Sequence, residues 1–469
     1  VKRVIASLTL AALSYSVMQM MVQPALPEMQ RALGADPSAT AWVISAFLLS
    51  TTVATPILGR LGDLFGKERV LIVSLVVFAL GGVVGALAQS LGMLILARVL
   101  QGVGGAVFPL SFGLARDALP ERQVPIAIAI IAGSFGVGGS LGLVLCGPLV
   151  DAFSWHAIFV VGLVLPVVAV VCVRVWVPES PERARVSLDW AGALGLTLGL
   201  VALLTAVSRG RDWGWTSAPV LGLLAVALLV LGAWCRWELG RRDPLIDLRL
   251  FARRSIWPVN VVAVLVGFGM YSTGFLIPQF VQTDPDAAGF GFAASVTGAS
   301  MFMLPALLCG LLAGAWAGLL ARRFGAKLPL LLGTLLMVAG YAGLVVAHDG
   351  ALPFSIFTAI AHGFGLNLAY TAMSTLIVAA APAEQVGEAS GMNTMLRTVG
   401  GALGSQIVGA LIAGGVTATG FATEDVFTAS FVVLMVLLVI GSAIAVLLVP
   451  SDRARPARIP AAPRPIPDS

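Results

Sequence analysis

The chain is a succession of apolar runs, each about 20 residues long, joined by short polar links. A segment lying in hydrocarbon must satisfy every backbone N–H and C=O within the protein, so a run of this length has one good solution, a membrane-spanning helix. Fourteen runs qualify, over 4–24, 39–58, 70–89, 92–114, 125–147, 157–177, 189–208, 219–237, 258–281, 296–320, 328–347, 352–379, 390–413 and 427–449. With 58% of its residues hydrophobic and 11% charged, a chain of 469 residues has too little polar surface to cover a soluble globule. The expected fold class is an all-α polytopic membrane protein.

An even number of spans puts both termini on one side, and the basic residues say which. Of the 28 Lys and Arg, 23 fall on links that share the side of the termini. Only Arg31, Arg209 and Arg211 fall opposite, and Arg98 and Arg397 lie inside runs. Basic residues are retained on the cytoplasmic side, so both termini are expected there. The net charge of +5 then reports topology rather than nucleic-acid binding. Lys2-Arg3 ahead of the first run resembles the start of a signal peptide, but that run carries Gln19 and Gln23 and leads straight into further spans; it reads as a retained helix. Cys146, Cys172, Cys235 and Cys309 are scattered singly, with neither a disulfide framework nor metal-ligand spacing.

A charged, glycine-rich hairpin at Gly59-Arg60-Leu61-Gly62-Asp63-Leu64-Phe65-Gly66-Lys67-Glu68-Arg69 returns as Gly318 to Lys327, so the chain is built twice over. The expected units are a six-helix bundle over 1–177, a linker over 178–257 that holds two extra spans, a second six-helix bundle over 258–449, and a disordered tail over 450–469. Within the linker, Pro178 to Arg183 reads as a solvated loop. Leu245 to Arg254 alternates apolar and charged residues, which suits either a short helix lying on the membrane surface or a plain basic loop.

Further motifs follow in order. Leu94-x-x-x-Arg98-x-x-Gln101-Gly102-x-Gly104-Gly105 lies in span 4, Leu188-Asp189-Trp190-Ala191-Gly192 opens span 7, and Asp243 to Phe251 follows span 8. Ala389-Ser390-Gly391-x-Asn393-x-x-x-Arg397-x-x-Gly400-Gly401-x-x-Gly404 lies in span 13. With the hairpin, this set resembles the major facilitator superfamily, and within it the fourteen-helix drug:proton antiporters. The resemblance covers nearly all of residues 1 to 450. It implies a secondary transporter of the cell membrane that exports amphipathic drugs, antibiotics or toxic metabolites in exchange for protons, without cofactor or metal, and for which a single copy suffices. A lipid or hydrophobic-metabolite exporter without proton coupling is the alternative within transport. A ligand sensor would need a soluble output domain, and a membrane transferase would need a catalytic constellation that the isolated His348-Asp349 and His156 do not supply.

Gly59 and Gly62 allow close helix approach and Gly66 a tight reversal. Asp63 sits at a helix end beside Arg69, and the resemblance makes it a latch toward the start of span 13, near Gly387 to Gly391. The second copy has Arg322 in the matching place. Arg98 is the clearest buried charge, with Gln101 on the same helix face. It is expected in a water-filled cavity, which the resemblance places close to the proton and substrate pathway, or else bonded to backbone carbonyls or snorkelling to the outer interface. Gly138 and Gly142 in span 5, with Gly147 beyond, make a packing groove, as do Gly102 in span 4 and Gly391, Arg397 and Gly401 in span 13. Relatives commonly bear an Asp in span 1 where this chain has Met18. His362 and Glu28 are therefore the remaining candidates for proton exchange. Tyr15, Gln19 and Gln23 form one stripe and Asn367, Tyr370 and Met373 another, suited to an apolar or weakly cationic cargo or to contact between helices.

Overall fold

The computed structural model describes residues 1–120, 122–179, 189–241, 244, 246–381, 385–416 and 422–450. The expected tail beyond Pro450 lies outside the described residues, as do 180–188 of the first linker and Arg242, Asp243 and Leu245 of the second. Among those described, fourteen helices are long and apolar enough to cross a bilayer. They are α1 (Lys2–Leu33), α2 (Pro37–Phe65), α3 (Lys67–Ala86), α4 (Leu91–Ala118), α5 (Val124–Ala152), α6 (His156–Trp176) and α7 (Trp190–Trp213). Then come α8 (Ala218–Gly240), α9 (Trp257–Val281), α10 (Val296–Phe324), α11 (Lys327–Val346), α12 (Ala351–Ala380), α13 (Val386–Gly414) and α14 (Glu424–Leu447). Because fourteen is even, α1 starts and α14 ends on one face, here the near face; the other is the far face.

Local chemistry sets the helix ends. On the far face the side chains of Asp36, Ser90, Ser217 and Ser295 accept from backbone N–H groups in the first turns of α2, α4, α8 and α10. On the near face, the two hairpins reverse through Gly66 (φ 107°) and Gly325 (φ 85°), backbone conformations that a side chain would strain. Two spans that read as continuous helices are interrupted. In α4 a 3₁₀ segment spans Val103–Ala106, where Gly104 lies against Phe78 and Tyr15, and Gly105 against Thr51 and Thr55. In α12 a π segment spans Ala359–Gly365, where Gly363 presses on Ala306 of α10 and Gly365 on Met337 of α11.

The duplication is visible in the packing. Within α1–α6, α1 packs on α5 and α6, α3 on α4 and α6, and α2 on α4. Adding eight to each label gives the second repeat: α9 on α13 and α14, α11 on α12 and α14, and α10 on α12. The repeats meet through α2 with α13 and, by the same symmetry, α5 with α10, while α1 meets α9 between them. The extra helices α7 and α8 pack on each other, and α7 also touches α2 and α13. It joins the repeats at the far face: Ser208 bonds Ser38 (3.0 Å) and Trp42 (3.1 Å), and Arg211 donates to the Ala413 carbonyl. Leu228 and Leu229 of α8 are 76% and 73% exposed, an apolar surface suited to lipid.

The linker motifs meet on the near face. Asp189 caps α7 through Gly192 N–H (2.8 Å) and accepts from Trp237 Nε1 (3.0 Å), while Glu238 accepts from Ile246 N–H (3.3 Å). This tethers the segment after α8, whose regular structure among the described residues is one turn, Leu248–Phe251, with Ile246 and Leu250 buried. Of the two expectations for Leu245 to Arg254, a short helix or a basic loop, a helix is formed only over that turn among the described residues. Three carboxylates are shielded from solvent here, Glu68, Asp189 and Glu238, at only 2–5% exposed. Each lies near a near-face helix end, where other polar groups reach it.

Candidate functional site

Where α1, α4, α9, α12 and α13 converge, midway between the faces, three tyrosines and two arginines gather. Tyr15 lies within electrostatic reach of Arg98, Tyr370 and Arg397, and Tyr271 within reach of Tyr15, Tyr370 and Arg397. The chain has only four tyrosines. The fourth, Tyr341, bonds Thr273 two positions beyond Tyr271, at 2.6 Å.

Arg98 is 2% exposed. Its Nε donates to the Val43 carbonyl of α2 (3.0 Å), one terminal nitrogen donates to Gln101 Oε1 (2.8 Å), and its guanidinium lies over the Phe47 ring at 4.1 Å. Arg397, 6% exposed, donates to Tyr370 Oη (3.2 Å) and lies over that ring at 4.1 Å. Neither arginine makes an ion pair among the described residues. Carbonyl, amide and π electrons stand in for a counter-charge, and two cations remain at the seam of the repeats. Arg98 and Gln101 share a face, as expected, and a backbone carbonyl is among the partners of Arg98. Arg397, expected as a packing residue, joins the central cluster.

An aromatic wall lines the first repeat beside them. Tyr15 stacks on Phe47 (5.6 Å between centroids) and meets Phe78 and Phe108 (each 6.1 Å), and Phe108 continues to Phe112 (6.0 Å) and Phe135 (5.9 Å). Across the seam Gln19 Nε2 donates to Tyr271 Oη (2.6 Å), and Gln23 packs on Gly274.

The repeats close on the far side and part on the near side. Far-face ties include Gln279 to Gln30 (2.6 Å), Gln282 to the Pro24 carbonyl (2.8 Å), and Thr297 N–H to Asp151 (3.1 Å). Gly147 abuts Thr297, and Gly409 abuts Ala41 and Pro37. Towards the near face the last hydrogen bond between repeats, among the described residues, is Thr52 to Thr398 (2.7 Å). Beyond it, among the described residues, a Cβ at Gly59, Gly133, Gly314, Gly318 or Gly391 would meet no heavy atom of another element within 4 Å. A buried cluster between two repeats that are tied together at one face and lack such ties at the other is the arrangement expected of an alternating-access carrier.

The family model of the Major Facilitator Superfamily matches residues 8–405 and 259–467. The chain belongs to this superfamily. It is 30% identical to Multidrug resistance protein Stp of Mycobacterium tuberculosis (strain CDC 1551 / Oshkosh) over 85% of this chain and 74% of that one. It is 28% identical to the Tetracenomycin C resistance and export protein of Streptomyces glaucescens over 86% of this chain and 76% of the relative. The solved structure of nucleoside transporter NupG shares the fold at a TM-score of 0.65 and 14% identity, covering 94% of this chain and 98% of NupG. This superfamily member is a multi-pass membrane transporter rather than an enzyme, and its fourteen spans fit the drug:proton antiporter subgroup.

Other expected residues fall as follows. Gly62 packs on Leu110, Gly102 on Ser50, Gly138 on Ser16, Gly142 on Val17 and Gly401 on the Tyr271 ring, all within one repeat. Among the described residues Gly59 and Gly391 meet no neighbouring helix in this conformation, so no close approach is made at either. Asp63 faces Lys67 (3.7 Å) instead of α13, Lys67 reaches Asp117 (2.8 Å), and Arg69 reaches Glu179 (3.4 Å). Met18 is fully buried, and Gly162 of α6 touches both its sulfur and Gln101 Nε2. The position where the resemblance implies an acid therefore adjoins the partner of Arg98.

Glu28 pairs with Arg31 (2.8 Å) at the far end of α1. His362 lies in the π segment with its Nδ1 buried and without a partner. Asn367 donates to the Gly363 carbonyl (2.9 Å) and Met373 is fully buried, so only Tyr370 of that stripe joins the cluster. Gln19 and Gln23 are 5% and 4% exposed, and serve as contacts between helices. Tyr271 is the central residue that sequence reading missed. Its signal was the scarcity of tyrosine in a chain whose four all fall within spans.

Proposed function

We propose that this transporter exports amphipathic aromatic compounds rich in acceptor oxygens, neutral or weakly acidic, by alternating access. The observation that carries the proposal is the pair of buried arginines without a carboxylate, Arg98 and Arg397, among tyrosines and phenylalanines at the seam of the repeats. Two fixed cations in a low-dielectric site repel a cationic cargo and attract carbonyl or phenolate oxygens, while the aromatic wall takes the flat apolar body. This reverses the charge preference drawn from sequence. That one relative is a tetracenomycin C resistance and export protein supports the direction of transport, outward. The near face is cytoplasmic on this reading, so the conformation is open to the cytoplasm.

In the opposite conformation the near face closes, and Asp63 turns from Lys67 to the start of α13, where helix-terminal N–H groups favour a carboxylate. Protons drive the cycle, and His362 carries them, its buried Nδ1 having no hydrogen-bond partner among the described residues. The test is uptake into proteoliposomes under an imposed pH gradient, with paired anionic, neutral and cationic aromatic dyes. Anionic and neutral dyes should move. Arg397→Gln should abolish the anionic flux first, and His362→Gln should remove the response to the gradient. Preference for cations, or an Arg397→Gln variant with unchanged selectivity, would refute the site assignment.

A second reading keeps the cargo and drops the proton. It is favoured by Met18, which puts a thioether beside Gln101 in place of an acid. Gradient-independent flux in the wild type would select it.

A further inference from the structure

At the far face His348 leaves the end of α11 and meets Glu424, in the first turn of α14, 76 residues away in sequence. Its Nδ1 lies 2.8 Å from the Leu344 carbonyl, which can only accept, so Nδ1 carries the hydrogen. In the neutral ring Nε2 is then a bare lone pair, yet it points at Glu424 Oε1 at 2.7 Å and Asp349 Oδ1 at 3.7 Å. In that ring three acceptors converge with no hydrogen among them.

A cation must reconcile them. A proton on Nε2 serves one carboxylate and leaves the site with one net negative charge. A divalent ion with a neutral imidazole and two carboxylates is neutral. We propose that His348 Nε2, Glu424 and Asp349 bind a divalent transition-metal ion, zinc above all, with water completing the coordination.

The geometry suits it. The three ligand atoms lie within 4.8 Å of one another, the only such His, Cys, Asp and Glu group among the described residues. Zinc bonds of about 2.0–2.2 Å at tetrahedral angles set ligands roughly 3.4 Å apart. The His348–Asp349 separation nearly meets that, and Glu424, 41% exposed, is free to open by the remaining fraction of an ångström. The bond from Nδ1 to a backbone carbonyl is the outer-shell support that metal-bound imidazoles require. The His348 side chain is only 11% exposed and meets the edge of Phe280 of α9 at 5.7 Å, which fixes the ring plane. Besides His348, Asp349 and Glu424, the nearest titratable side chain in sequence is Asp425, next in α14. Bound there, the ion clamps α11 to α14 beside the far end of α9, which carries two of the far-face ties. The site lies apart from the midplane cluster, so it stands whether or not the export reading does.

The test is calorimetric titration of zinc chloride into purified, tag-free, chelator-stripped protein, with melting temperature followed in parallel. One ion should bind per chain, the melting temperature should rise, and acid should weaken binding, because protons compete with the metal for its ligands. His348→Gln and Glu424→Gln should each weaken binding at least tenfold, and Asp349→Asn less. Melting of the variants in chelator, equal to wild type, certifies their fold. No zinc binding by the wild type, binding unchanged in both variants, or magnesium taken as well as zinc would overturn the proposal.

Discussion

Gly147 is where one methyl group should redistribute the conformations. It lies near the far end of α5, facing α10 across the seam, and a Cβ there would stand 2.6 Å from Thr297 Oγ1 and 2.8 Å from Thr297 Cβ, with the Thr297 backbone also inside 3.0 Å. Ordinary van der Waals contact begins near 3.4 Å, and the main chain cannot swing aside as a flexible side chain would. Gly147→Ala therefore forces the far ends of the repeats apart by about 1 Å, at the roughly 1–3 kcal/mol typical of overpacking. In a conformation open at the far face the methyl meets no such wall. The whole cost falls on the observed state, a shift of about 5- to 150-fold toward far-face opening. Gly142→Ala is the control. Five residues earlier on the same helix, its Cβ would strike the Val17 carbonyl of α1, inside one repeat, so both conformations suffer and their ratio holds. Spin labels at exposed Ala32 and Ala287, on opposite repeats at the far face, report the populations by pulsed dipolar distances. An unchanged distribution in Gly147→Ala, or equal shifts in both variants, would refute the view that this glycine sets far-face closure.

Arg98→Lys keeps the charge but cannot at once reach the Val43 carbonyl, reach Gln101 and cover the Phe47 ring. Melting should fall by the equivalent of about 1.5–3 kcal/mol and transport should be lost, measured by thermal unfolding in detergent and by liposome flux. Asp63→Asn should leave the observed state's stability nearly intact, since the 3.7 Å contact with Lys67 is half-exposed, while slowing turnover at least severalfold at equal surface expression. Unchanged turnover would remove Asp63 from the closing of the near face.

Fourteen runs of about 20 apolar residues left the chain no alternative to fourteen helices, because in hydrocarbon the demand on backbone hydrogen bonds is local and absolute. The repeated hairpin announced the duplication, and the offset of eight in the packing follows from it. Sequence also placed Arg98 with Gln101, because residues three apart share a helix face. Tertiary structure decided what depends on rotation and distance between helices. It brought Tyr271 and Arg397 to the centre, turned Gln19 and Gln23 into seam contacts, and buried Met373 away from it. It also joined His348 to Glu424 across 76 residues. The periodicity of an apolar helix marks an inward side poorly when lipid and protein interior are equally apolar, so only the packing of small residues, read in three dimensions, says which face meets which.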